Sequence, residues 1–247
     1  AGRTVLRPAS PVPAGEHPVV EPATDAPDGP DGAPEADWAS RGAHKLLGAL
    51  AAFPEVAVAG RECLDAGAST GGFTDVLLRR GATRVVALDV GHDQLVDRLR
   101  ADPRVDVREG VNVRYLAAGD VDPAPALVVA DLSFISLTLV VPALAAVAAP
   151  GADLVLMVKP QFEVGRERLG SGGVVRSAQQ RAESVLGVAD VAREHGLGVL
   201  GVARSPLPGP SGNVEFFLWL RRGPGVAGDD LVARVRAAVT DEEGAGA

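Results

Sequence analysis

From about residue 60 the chain alternates short apolar runs with amphipathic stretches. The runs at 62–66, 84–89, 104–108, 126–130 and 153–158 are rich in Val, Leu and Ala and are bounded by polar or turn-forming residues, the pattern of strands buried on both faces. Between them, 72–80, 92–100 and 136–148 carry apolar residues at three- and four-residue spacing and are expected as helices. A longer helix spans 177–195, capped by Ser177 and stopped by Gly196; another runs from a Ser40 cap through Lys45 and Leu50 to about Ala52. Two last strands, 198–204 and 213–220, flank SPLPGPSGN, a loop of turn formers. Strand and helix repeated at this spacing predict an α/β fold, a mostly parallel seven-stranded sheet with helices on both faces. Ligands of such sheets bind beyond the carboxyl ends of the strands.

Residues 1–37 break the pattern. They are rich in Pro, Ala, Gly and Asp, with brief alternating pieces at Thr4-Val5-Leu6 and Val19-Val20, and 23–37 reads as a flexible acidic linker. The packed domain is expected over 38–228, followed by a C-terminal helix and acidic tail at 229–247. The net charge of −8 sits on these ends: 1–37 hold seven acidic and two basic side chains, 229–247 five and two, which leaves the body neutral. A local basic face is still open to it, with Arg79, Arg80, Arg84, Arg166, Arg168, Arg221 and Arg222 as candidates.

Several function classes drop out. Cys63 is the single cysteine, so neither an intramolecular disulfide nor a cysteine metal cluster is expected, and His17, His44, His92 and His195 lack metal-ligand spacing. The apolar stretch 135–158 is split by Pro150, Gly151 and Asp153 into pieces too short to cross a membrane. The sequence carries no secretory signal pattern and starts at Ala, as a fragment or trimmed product would; a cytoplasmic protein is expected.

The candidate chemistry begins with the lysines. Only two of the 24 Lys and Arg residues are Lys: Lys45, in WASRGAHKLLGAL, and Lys159, ending LVLMVKPQ. Arg stays charged at any accessible pH, whereas a partly buried Lys can give up its proton and act as a base. The first strand runs into Asp65-Ala66-Gly67-Ala68-Ser69-Thr70-Gly71-Gly72, small residues that let backbone approach a ligand at a helix N-terminus. Asp89, ending the second strand, is placed to accept both hydroxyls of a ribose, so a nucleoside cofactor is expected there. The loop spacing is GxxxGG rather than the GxGxxG of dinucleotide binders, and resembles motif one of the S-adenosylmethionine-dependent methyltransferases. A dinucleotide site and a tight turn without ligand remain the other readings. Asp131 ends VVADLSF, and Glu215 opens the apolar run of GPSGNVEFFLWL. Charges so near buried strands are costly unless paired, so Asp131, Lys159 and Glu215 are expected to cluster, with Lys45 closing the group. A purely structural ion-pair network is the alternative.

Lys45, Asp131, Lys159 and Glu215 stand in the order and context of the Lys-Asp-Lys-Glu tetrad that marks FtsJ-like ribose 2′-O-methyltransferases. The segments WASRGAHKL, LDAGASTGGFT, VVADLSFISL, VKPQFEVG and SPLPGPSGNVEFFLWLR resemble the TlyA family within that group, over about 38–222. The resemblance implies a Rossmann-like methyltransferase fold that binds S-adenosyl-L-methionine through Asp65, Gly67, Ala68, Ser69, Thr70, Gly71, Gly72, Asp89 and Asp131. It implies methylation of a ribose 2′-hydroxyl in ribosomal RNA, with ribosomal subunits as partner and no metal. By the same resemblance Lys159 is the base or hydroxyl-orienting group, Asp131 positions Lys159 and the methyl region, and Lys45 and Glu215 hold the hydroxyl and the charge balance. Some members carry a hemolysin label, for which the sequence offers no mechanism. Two departures stand out. Of the family's amino-terminal RNA-binding module, of the ribosomal protein S-four kind, only a remnant is expected at 1–22. The Arg-x-Trp-Val linker of some relatives is here Ala36-Asp37-Trp38-Ala39. Residues 163–176, EVGRERLGSGGVVR, suggest a mobile basic lid. The competing reading of the whole chain is a non-catalytic RNA- or ribosome-binding module that keeps the fold.

Overall fold

A computed structural model describes residues 37–209 and 211–240. The module remnant at 1–22, nearly all of the linker at 23–37 and the acidic tail beyond 240 lie outside the described residues.

The seven-stranded, mostly parallel sheet expected from the sequence is the one observed. Its strands are β1 (Glu62–Ala66), β2 (Arg84–Leu88), β3 (Val105–Arg108), β4 (Leu127–Ala130), β5 (Asp153–Val158), β6 (Leu197–Arg204) and β7 (Phe216–Arg222), in the order β3-β2-β1-β4-β5-β7-β6. All pairings are parallel except those of β7, which runs against β5 and β6. The helices are α1 (Gly42–Ala52), α2 (Gly72–Arg79), α3 (Asp97–Arg100), α4 (Val141–Val147), α5 (Pro160–Glu163), α6 (Ala178–Glu194) and α7 (Gly228–Thr240).

Successive side chains of a strand face opposite ways, and the two faces bury different helices. Cys63, Val85, Leu127, Val129, Val155, Met157 and Phe217 pack with Leu46 and Leu50 of α1, Phe73 and Leu77 of α2 and Leu99 of α3. Leu64, Val86, Val128, Leu154, Leu156, Phe216 and Leu218 pack with Leu144 of α4, Val185 and Val188 of α6 and Val235 of α7. Each such fully buried side chain is worth about 1.5–3 kcal/mol, and the double burial explains why the strands read as unbroken apolar runs. No described helix is long and apolar enough to cross a membrane.

Two expected helices are shorter than their patterns. Of 92–100 only α3 is helical, because Asp89 Oδ1 accepts from Gly91 N–H just before the stretch, the Asp93 N–H donates to Glu109 Oε1 at 3.0 Å, and Asp93 takes a left-handed φ of 55°. Side-chain bonding to local backbone competes with the helix and wins here. The stretch 136–148 divides at Val140, where a Ser136-capped 3-10 turn, Leu137–Leu139, ends and α4 begins. Pro142, without an N–H, is tolerated only in a helix's first turn, so α4 must start there.

One buried carboxylate organises the edge of the sheet away from the strands' carboxyl ends. Asp153, fully buried at the start of β5, accepts from Arg61 (2.6 Å), Trp219 Nε1 (2.8 Å) and Arg221 Nε (2.9 Å). Arg84 pairs with Asp106 and Glu62 on the same edge, and Arg222 donates to the Ala145 carbonyl. The candidate basic face therefore loses Arg84, Arg221 and Arg222 to the edge opposite the strand ends. The antiparallel direction of β7 puts its last residues there.

Candidate active site

The carboxyl ends of β1, β2, β4 and β5 and the amino end of the antiparallel β7 meet on one edge, and the chemistry-bearing residues are the first ones past those ends. β1 feeds the turn 67–71. Gly67 has φ 88°, and a Cβ there would stand 2.8 Å from the Asp131 carbonyl oxygen. The N–H groups of Gly67 and Ala68 both donate to Leu88 O, at 2.8 and 3.1 Å, which ties the loop to the end of β2. Gly71, at φ 100°, precedes α2 in contact with Leu95 and Leu99, where a Cβ would be only 2.3 Å from Leu99. Asp89 follows β2 and is half-buried; Oδ2 accepts from Ser69 N (2.9 Å) and Oδ1 from Gly91 N (2.7 Å). Each oxygen keeps a second lone pair. Beside it lies a small hollow lined by Ala68, Ser69, Asp89, Gln94 and Leu95, with the exposed Gln94 side chain reaching Ser69 Oγ at 3.2 Å.

Asp65 lies under the loop rather than on it. It is fully buried, and its Oδ2 accepts from Thr74 Oγ1 at 2.7 Å, while Oδ1 has no hydrogen-bond partner among the described residues. Burial pushes its carboxyl up to about 7, the Thr74 hydrogen bond opposes this, and the charges of Asp131 and Asp89 add to it.

The four charged residues expected to cluster do so. Lys45, one turn into α1, puts Nζ 2.5 Å from Glu215 Oε2 and 3.9 Å from Asp131 Oδ2. Lys159, directly after β5, has Nζ 2.6 Å from Asp131 Oδ1. That contact is an ion pair without hydrogen-bond alignment, since Asp131 Oδ1 accepts no hydrogen bond among the described residues. Side-chain exposures of 6% for Lys45, 9% for Lys159 and 1% for Glu215 contrast with 21% for Asp131. The cluster is thus buried at Lys45, Lys159 and Glu215 and opens toward solvent at Asp131. Two cations and two carboxylates balance, which removing either partner would undo.

Sequence reasoning missed three neighbours. Lys159 Nζ donates to Ser133 Oγ at 3.0 Å. Gln161 Nε2 donates to Glu215 Oε1 at 3.3 Å. Phe134, 92% exposed and at a left-handed φ of 64°, meets Phe162 at a ring distance of 5.3 Å, and the Phe162 ring lies 5.9 Å from Lys159 Nζ. Their only sequence signal is position, two or three residues after Asp131 or Lys159. Glu163 holds this loop to α5 by accepting from Ser136 Oγ and from Leu137 N (2.8 Å); burial raises its pKa.

Three residues of the stretch 163–176, expected as a mobile basic lid, are held by hydrogen bonds. Asn213 accepts from Val175 N and donates to Gly173 O, both at 2.9 Å, and Arg168 is engaged with Val164 O and Glu183. Among the described residues no three or more His, Cys, Asp or Glu gather as metal ligands.

Residues 38–222 match the family described as FtsJ-like methyltransferase. The chain is 63% identical, over 187 residues, to the 16S/23S rRNA (cytidine-2′-O)-methyltransferase TlyA of Mycobacterium tuberculosis, covering 76% of this chain and 69% of that protein. A solved structure of a hemolysin-named protein from Streptococcus thermophilus superposes with a TM-score of 0.78 at 40% identity, covering 84% of this chain and 74% of the other. An S-adenosylmethionine-dependent methyltransferase from Mesorhizobium loti, 14% identical, shares the fold with a TM-score of 0.51 over 70% of this chain and 96% of its own.

Proposed function

Since the chain belongs to the FtsJ-like methyltransferase family, we propose that it transfers a methyl group from S-adenosyl-L-methionine to a ribose 2′-hydroxyl of ribosomal RNA, with ribosomal subunits as its partner. The observation that carries the reading is the contact between the two halves of the site. The glycine loop touches Asp131 at Gly67, and Asp131 is ion-paired to Lys159. A cofactor on the loop would therefore lie against the charged cluster. The name of the Mycobacterium tuberculosis relative supports ribosomal RNA as substrate.

The residues suit the cofactor's chemistry. The spare lone pairs of Asp89 are set to accept ribose hydroxyls, and Gly67, Ala68, Ser69, Thr70, Gly71 and Gly72 present a close backbone surface at the start of α2. Asp89 and Asp131 place two carboxyls beside one loop, surroundings that favour a cationic ligand; Asp65 acts from beneath, by holding Thr74. When bound, S-adenosylmethionine supplies a methyl group already activated on a sulfonium.

The protein's task is then to deliver an oxygen nucleophile. A ribose hydroxyl is weak until it loses its proton. Lys159, the lysine between Asp131 and Ser133, orients that hydroxyl; once its own proton has passed to solvent, the free amine takes up the hydroxyl proton as the oxygen attacks. Asp131 keeps Lys159 in place and faces the methyl region. Lys45 and Glu215 form the buried half that fixes the field around it. A ribosomal substrate places the reaction in the cytoplasm. A scaffold without activity would have no use for a buried lysine held by a half-buried carboxylate beside the glycine loop. The test is transfer of labelled methyl from S-adenosylmethionine to purified ribosomal subunits, followed by mapping of alkali-resistant ribose positions. Absence of any labelled ribose with both subunits would leave the binding-module reading in its place.

A further inference from the structure

Glu215 is enclosed on every side the structure describes. Its Oε2 is taken by Lys45, a Cβ on Gly209 would stand 2.6 Å from Oε1, and the side chain is 1% exposed. Lys45 is itself buried against Met157 Sδ at 3.7 Å. Besides the 3.9 Å approach of Lys45 Nζ to Asp131 Oδ2, this pair is met by the amide of Gln161, which donates Nε2 to Glu215 Oε1 at 3.3 Å. That bond fixes which way the amide points, because an ionised carboxylate can only accept. Gln161 Oε1 is consequently turned away from Glu215, and it is buried with no hydrogen-bond partner among the described residues. Buried unpaired acceptors are rare in folded proteins, and one standing beside a reaction site calls for a donor. The first turn of α5 fixes the side chain's place: Lys159 precedes Pro160 at the helix start, so the Lys159 ammonium and the Gln161 amide leave the same turn.

We propose that Gln161 is a fifth working residue of the site, its amide nitrogen holding Glu215 on Lys45 and its carbonyl oxygen accepting a hydrogen bond from the ribose hydroxyl of the bound substrate, before that proton passes to Lys159. In an internal RNA nucleotide the 2′-hydroxyl is the sugar's one hydrogen-bond donor, so an acceptor facing the sugar selects ribose over deoxyribose. The inference rests on the methyltransferase reading above and refines it.

The test compares full-chain wild type, Gln161→Met and Gln161→Glu in single-turnover methylation of ribosomal subunits from pH 6 to 9 with S-adenosylmethionine saturating. Cofactor affinity and melting temperature are measured alongside. Gln161→Met has similar length and no hydrogen bonds, and is expected to slow turnover about ten- to a hundredfold with cofactor affinity and melting temperature unchanged. Gln161→Glu sets a second carboxylate beside Glu215 and is expected to be slower still at pH 8. Its rate relative to wild type should recover as pH falls, because the protonated carboxyl donates and accepts as the amide did. A wild-type rate in Gln161→Met overturns the proposal. So does a loss that tracks a lowered melting temperature, with no recovery of Gln161→Glu at low pH, since that pattern belongs to packing alone. If wild type transfers no methyl to either subunit, the methyltransferase reading falls and this one with it; an active wild type matched by Gln161→Met removes Gln161 only.

Discussion

Gly67 and Asp131 touch across the sheet: the glycine's missing side chain leaves room for the carbonyl of the residue whose carboxylate holds Lys159. β1 and β4 pair in register as far as Ala66 and Ala130, so the loop after one must pass directly over the residue after the other. The glycine loop and the charged cluster are therefore two ends of a single backbone contact. Gly67→Ala tests it. An alanine at φ 88° is strained and its Cβ meets backbone, which cannot move aside as a side chain could. A loss of about 1–3 kcal/mol in stability is expected. Calorimetry should show weakened S-adenosylmethionine binding as well, and an unchanged affinity would separate the loop from Asp131.

Asp89 offers a simpler case. Its carboxylate is held by Ser69 and Gly91 N–H groups at 2.9 and 2.7 Å with lone pairs to spare. A hydrogen bond to a charged group is worth about 1.5–3 kcal/mol, so Asp89→Ala should weaken cofactor binding by about tenfold or more. Calorimetry with S-adenosylmethionine and S-adenosylhomocysteine reads this directly, and an unaltered affinity removes Asp89 from the site.

Asp65 gives a prediction about pH. Burial raises its carboxyl from 3.8 to about 7, so the native state keeps a proton that the unfolded chain releases at lower pH. Between these two values the folded protein binds more protons than the unfolded one, and stability falls as pH rises through that window. Asp65→Asn keeps an acceptor for Thr74 and cannot ionise. Denaturant unfolding at pH 5 and pH 8 should show wild type losing stability relative to Asp65→Asn on going to the higher pH. Parallel curves for the two proteins would mean that Asp65 is not held neutral by its burial.

Much of this was legible in the sequence, and the residues show why. Asp131, Lys159 and Glu215 end or begin apolar runs, where an unpaired charge is too costly to be incidental, so their meeting could be expected from position alone. The parallel sheet followed from apolar runs at even spacing. Gln161, Ser133 and Phe134 gave no such sign, since an ordinary polar or aromatic residue acquires its role only through distances across the chain. The failed part of helix 92–100 has the same origin. Its apolar spacing was sound, but the Asp89 and Glu109 carboxylates captured the Gly91 and Asp93 N–H groups at its start, a competition that periodicity does not record. Asp153 read as a strand boundary, and nothing local announced that Arg61, Trp219 and Arg221 converge on it from two distant segments.

The two lysines supply the last prediction, because their surroundings differ. Lys159 sits between Asp131 at 2.6 Å and Ser133 at 3.0 Å on the open side of the cluster, while Lys45 is sealed between Glu215 at 2.5 Å and Met157 at 3.7 Å. Arginine preserves the charge at either place but is planar, bulkier and held protonated. At Lys159 it removes a group able to accept the hydroxyl proton. Turnover should fall by about two to four orders of magnitude with cofactor affinity little changed. At Lys45 the guanidinium must displace Met157 or Glu215, so Lys45→Arg should cost about 1–3 kcal/mol of stability through overpacking, read as a lowered melting temperature, and slow turnover less than Lys159→Arg does. Single-turnover methylation of ribosomal subunits at saturating S-adenosylmethionine, with melting curves for both variants, reads the two effects separately. A Lys159→Arg protein that turns over like wild type would reduce Lys159 to a counter-charge for Asp131, and the proton would then have to leave by another residue of the cleft.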